Sequence, residues 1–103
     1  TEFVTYPYLE GVRDALKEAS ISSGCMFWDM YEVMGGKNSM PIWVNADPSL
    51  AASDYIHFSP KGAKKIAVEF TNKLLKMYEN YKNPTKEIEN IQEKNDSTTV
   101  NEI

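Results

Sequence analysis

His57 is the sole histidine of the chain, and Asp54 stands three residues before it in Asp54-Tyr55-Ile56-His57-Phe58-Ser59-Pro60-Lys61-Gly62. In a turn, that spacing lets the carboxylate fold back and accept a hydrogen bond from the imidazole Nδ1–H. Such a bond fixes the tautomer, turns Nε2 outward and stabilises the imidazolium formed when the ring takes a proton. The pair is then the base and its orienter in nucleophilic catalysis, a chemistry that also needs a nucleophile and donors for an oxyanion. The same spacing equally fits a turn-forming aspartate beside a surface histidine. A metal site is disfavoured, because one His, one Cys and no clustered carboxylates make a poor ligand set.

The elements around this pair follow from hydrophobic spacing. Pro7 to about Ser20 reads as a helix, with Tyr8, Val12, Leu16 and Ala19 on one face and a stop at Ser22-Ser23-Gly24. Cys25 to Trp28 is a short apolar run expected to be a buried parallel strand, with Cys25 as a buried thiol. Met30-Tyr31-Glu32-Val33-Met34 suits one or two helical turns closed by Gly35 and Gly36. Residues 37–53 read as a long loop, unusually apolar in carrying Met40, Ile42, Trp43, Val44 and Leu50. Ser59 is a good N-cap and Pro60 a good first helical residue. Ala63, Ile66, Ala67, Phe70, Leu74, Met77, Tyr78 and Tyr81 then keep a helical period for about twenty residues. After Asn83-Pro84 the chain turns polar, so residues 84–103 are expected to form a disordered tail.

At 103 residues and 42% hydrophobic content, the chain suffices for one domain with a modest core. A net charge of −4 offers no basic stripe, which disfavours nucleic-acid binding. No apolar run approaches the roughly 18–20 residues needed to span a bilayer. No signal peptide is visible at the start, Thr1-Glu2-Phe3-Val4.

The stretch DYIHFSPKGAKKIA resembles the last conserved block of SGNH hydrolases, also called the GDSL family, through Asp54, His57, Gly62 and the helix that follows. Upstream, CMFWDMYEVMGGKNSMPIWVNADPSLAAS looks like the branch related to carbohydrate and peptidoglycan O-acetylesterases, and the likeness covers residues 8 to 81. The resemblance implies that His57 is the general base and later general acid, and that Asp54 orients it. It makes Met40 and Trp43 candidates for the wall of a substrate pocket, although both suit plain packing. It further implies an α/β fold, residues 1–83 being the C-terminal part of a three-layer α/β/α sandwich with a parallel sheet. The rest of the sheet is then expected on residues outside this chain. Members of the family are often exported, use neither metal nor organic cofactor, and hydrolyse carboxylic esters.

The family's other blocks are missing. There is no Gly-Asp-Ser, and Asn95-Asp96 lacks the glycine context of the oxyanion block and follows the histidine instead of preceding it. No serine here sits at a strand-to-helix elbow, so no nucleophile is nominated. The expected function is that of a segment of a serine esterase or acylhydrolase acting on a carboxylic ester, by resemblance a sugar O-acetyl group. Its partner would be the missing N-terminal part of the enzyme or a second copy of the chain. The alternative is a non-catalytic interaction or packing module derived from a truncated SGNH fold.

Overall fold

In the computed structural model, residues 2–84, 89 and 91–95 are described. The helices with defined bounds among the described residues are, in order, α1 (Leu9–Ser22), α2 (Met30–Met34), α3 (Ser39–Asn45) and α4 (Pro60–Lys82). The expected α/β sandwich is corrected by this structure: no strand occurs among the described residues, and the β pairing present is an isolated antiparallel bridge between Ala51 and Phe58. The run Cys25–Trp28 is irregular, with Cys25 N–H donating to the Ser20 carbonyl at 2.8 Å. Four apolar residues do not make a strand unless a neighbour takes up their backbone groups, and among the described residues no β pairing involves this run. Cys25 is correspondingly exposed rather than buried.

The second correction is α3, inside the stretch expected to be loop. Its Pro41 falls in the first turn, where the missing N–H costs nothing. Met40, Trp43 and Val44 then share a helical face. The preceding Asn38 adopts the left-handed region at φ 60°, and its side chain and backbone close a reciprocal pair with Thr5. Thr5 N–H donates to Asn38 Oδ1 at 2.8 Å, and Asn38 N–H donates to Thr5 Oγ1 at 2.7 Å. This pair pins the N-terminal segment against the start of α3.

The chain divides into two compact units, Thr1–Phe70 and Thr71–Ile103. In the first, the buried apolar side chains among the described residues are Trp43 and Ala51. Trp43 is the hub. Its Nε1–H donates to the Met34 carbonyl at 2.9 Å, its ring lies 5.6 Å from that of Phe58, and its own carbonyl accepts from Leu50 and Ala51. Helix α1 has no buried residue, and Val12 and Leu16 on its apolar face stand more than half exposed. What attaches it to α2 is polar. Arg13 Nη1 lies 3.0 Å from both Asp29 and Glu32, and Tyr31 donates its hydroxyl to Glu10 at 2.7 Å. The hydrogen bonds to Glu32 and Asp14 hold the Arg13 guanidinium above its ordinary pKa. Partial burial, with the Glu10 contact, raises that of Tyr31.

In the second unit, Lys82 pairs with Glu79 at 3.0 Å and covers the Tyr78 ring. Within residues 84–103, Pro84, Glu89 and 91–95 have helical backbone; the rest of the expected disordered tail lies outside the described residues. No described helix is long and apolar enough to cross a membrane.

Candidate active site

The loop carrying Asp54 and His57 is clamped at its base. Trp43 O accepts from Leu50 N–H at 2.9 Å and from Ala51 N–H at 3.2 Å, and Ala51 bridges to Phe58. Ser59 N–H donates to Leu50 O at 3.1 Å, and Ser59 Oγ donates to Ser49 O at 2.7 Å. The same Ser59 Oγ accepts from Gly62 N–H at 3.1 Å, the capping geometry expected of a serine just before Pro60. Gly62 is buried against this clamp: a Cβ built on it would land on the Leu50 carbonyl. Glycine is required there for close approach of α4 to the loop, not for a special φ.

Within the loop, Asp54 does what its spacing promised. Its Oδ1 accepts from the backbone N–H groups of Ile56 and His57 at 2.9 and 3.0 Å. Its Oδ2 lies 2.6 Å from His57 Nδ1. The His57 side chain is 76% exposed, so with Nδ1 engaged the Nε2 edge is open to an outside group. The loop is closed further by Ala52 N–H donating to His57 O at 2.8 Å. Between Asp54 and His57, Tyr55 adopts φ 60°, a left-handed conformation that a bulky side chain rarely takes.

Three donors hold the Asp54 carboxylate in its charged form, the His57 ring first and then the amides of His57 and Ile56. They lower its pKa from the ordinary 3.8 to about 2. A carboxylate whose folded pKa is depressed favours the folded loop fully above 3.8, and this support disappears as pH falls through about 2. A ¹³C-detected titration of the Asp54 carboxyl should therefore have its midpoint near 2, with the Ile56 and His57 amide shifts moving in parallel. A midpoint at the ordinary 3.8 would mean the carboxylate is not held in this turn in solution.

Met40 and Trp43, one turn apart on α3, meet different surroundings. Met40 lines an apolar cleft of about 320 Å³ that Tyr55 also lines. Trp43 is only 4% exposed and packs beneath the clamp. Phe3 and Tyr55 are participants that the sequence did not point to: their rings stack at 3.9 Å on the same cleft. No short-range signal could have joined positions so far apart in the chain. The hydroxyls of Ser22, Ser49 and Ser59 are directed to backbone carbonyls, consistent with capping and turn roles. Among the described residues, no group of three or more His, Cys, Asp or Glu side chains is placed to hold a metal ion.

What the site can do chemically is accept a proton at Nε2 from a group brought to it, and return that proton. No protein-family model, curated protein or solved structure matches the chain.

Proposed function

We propose that this chain supplies the general base and its orienting carboxylate to a serine-type ester hydrolase whose nucleophile lies on residues outside these 103. The observation that carries the reading is the 2.6 Å contact from Asp54 Oδ2 to Nδ1 of a ring whose other edge is exposed. In the proposed reaction, a serine hydroxyl adds to the ester carbonyl carbon as His57 Nε2 takes its proton. The tetrahedral intermediate expels the alcohol, which leaves with that proton. Water then adds to the acyl-enzyme by the same route, releasing the carboxylic acid and restoring serine and neutral imidazole. The resemblance of DYIHFSPKGAKKIA to the SGNH block supports an O-acyl ester substrate.

The packing module is favoured by a different observation. With Trp43 and Ala51 as the buried apolar residues among those described, Leu16, Ile21 and Met26 in the first unit are left more than half exposed. Such a surface suits burial against another polypeptide, whether or not catalysis follows.

The test uses an activated acetate ester and a serine-directed phosphonate. The chain alone should show no serine-dependent turnover. The assembly it forms with its partner should hydrolyse the ester and take up the phosphonate on a serine outside this chain. Uptake on one of this chain's own serines would overturn the reading, and an inert assembly would leave the packing role in its place.

A further inference from the structure

The cleft beside the Asp54–His57 turn has chemistry of its own. It is bounded by Phe3, Tyr6 and Leu9 from the N-terminal side, Met34 and Met40 from α2 and α3, and Tyr55 from the turn itself. The described residues that line it are all uncharged, and its volume of about 320 Å³ falls within the range of small-molecule sites. Its walls are built rather than incidental. The reciprocal Thr5–Asn38 hydrogen bonds fix the segment that carries Phe3 and Tyr6. The Phe3 ring stacks on Tyr55 with only 12° between planes. Tyr55 reaches that stack from the strained φ 60° noted above, with its N–H donating to Ala52 O at 3.1 Å. The turn that folds Asp54 back toward His57 thus also delivers a cleft wall.

We propose that this cleft binds an uncharged aryl or branched aliphatic group, and that it selects the ester whose carbonyl is presented to His57. The second half of that statement rests on the hydrolase reading; the first does not. An acetyl group alone is far too small to fill the space. Aromatic rings and thioethers gain by offset and edge contacts with a neutral ring, whereas a carboxylate would be desolvated there without a counter-charge.

The experiment follows methyl and aromatic resonances of the whole chain during titration with benzamide, benzoate and methyl glucoside. Benzamide should saturably shift the Met34 and Met40 methyls and the Tyr55 ring, with a Kd on the order of 1 mM, ordinary for so small a ligand. Benzoate, the same ring with a charge, should bind at least several-fold more weakly, and methyl glucoside should leave these signals unmoved. Phe3→Ala and Met40→Glu should each weaken benzamide about tenfold or more. Phe3 lies outside every helix, so its replacement remains informative if Met40→Glu disturbs folding. No shift with benzamide, equal binding of benzoate, preference for the glucoside, or full binding by Phe3→Ala would each overturn the proposal. None of these measurements involves turnover, so failure of the cleft and failure of the hydrolase reading are told apart.

Discussion

Replacing His57 by alanine in the proposed hydrolase assembly is expected to lower ester hydrolysis by about 10⁴- to 10⁶-fold, with little change in the far-UV spectrum. The ring is 76% exposed and packs against little, so its loss removes proton transfer without opening a cavity. A catalytic base acts as one unit with its nucleophile, so its removal costs nearly as much as removal of the whole group. Asp54→Asn should cost less, about 10⁴-fold, because the ring remains but loses its orienting acceptor. Steady-state kinetics with an acetate ester measure both. Hydrolysis retained within tenfold by His57→Ala would remove this residue from the mechanism, whatever its hydrogen bonds.

The second large effect concerns stability. Trp43→Ala should destabilise the first unit by about 3–5 kcal/mol, the range for deleting a large buried aromatic. Trp43 is 4% exposed, and its indole N–H satisfies the Met34 carbonyl at 2.9 Å. Removing it empties the space under Phe58 and leaves that carbonyl without its donor. A loss of that size is a large share of the roughly 5–15 kcal/mol typical of native proteins, so the urea midpoint of the first unit should fall steeply. Leu16→Ala is the control: its side chain is mostly exposed, and its change should stay within about 0.5 kcal/mol. Urea denaturation of the two variants compares them directly. Equal midpoints would mean that Trp43 is not the hub of the packing.

The parts of this structure that sequence made legible are the local ones. Ser59-Pro60 announces the start of α4, and the apolar period from Ala63 onward carries it to Lys82. The Asp54-to-His57 spacing anticipates the turn hydrogen bond, since both partners lie within one short loop. The parallel sheet expected from resemblance did not follow, because Cys25–Trp28 can be a strand only if another segment pairs with it. Helix α3 was hidden by Asn38, Pro41 and Asn45, which read as loop residues. Yet the spacing of Met40, Trp43 and Val44 was helical, and Pro41 lies in the one turn that tolerates it. The stack of Phe3 on Tyr55 joins the chain's first residues to the Asp54–His57 turn, and no window of neighbouring residues contains it.

The shared origin of site and cleft has a physical consequence. One loop, held by Trp43 below and by Gly62 and Ser59 at the head of α4, sets the Asp54 acceptor, the His57 ring and the Tyr55 wall together. Substitutions at its clamp are therefore expected to disturb proton transfer and cleft binding in common. Those at Phe3 act on the cleft alone.

The most direct measurement is the protonation state of the two His57 ring nitrogens, read by long-range ¹H–¹⁵N correlation on the neutral imidazole. The hydrogen bond to Asp54 Oδ2 requires the proton on Nδ1 and the free lone pair on Nε2, and Asp54→Asn should shift the ring away from that tautomer. A neutral ring protonated at Nε2 in the unaltered chain, or one whose tautomer ignores residue 54, would contradict the assignment of His57 as an oriented base.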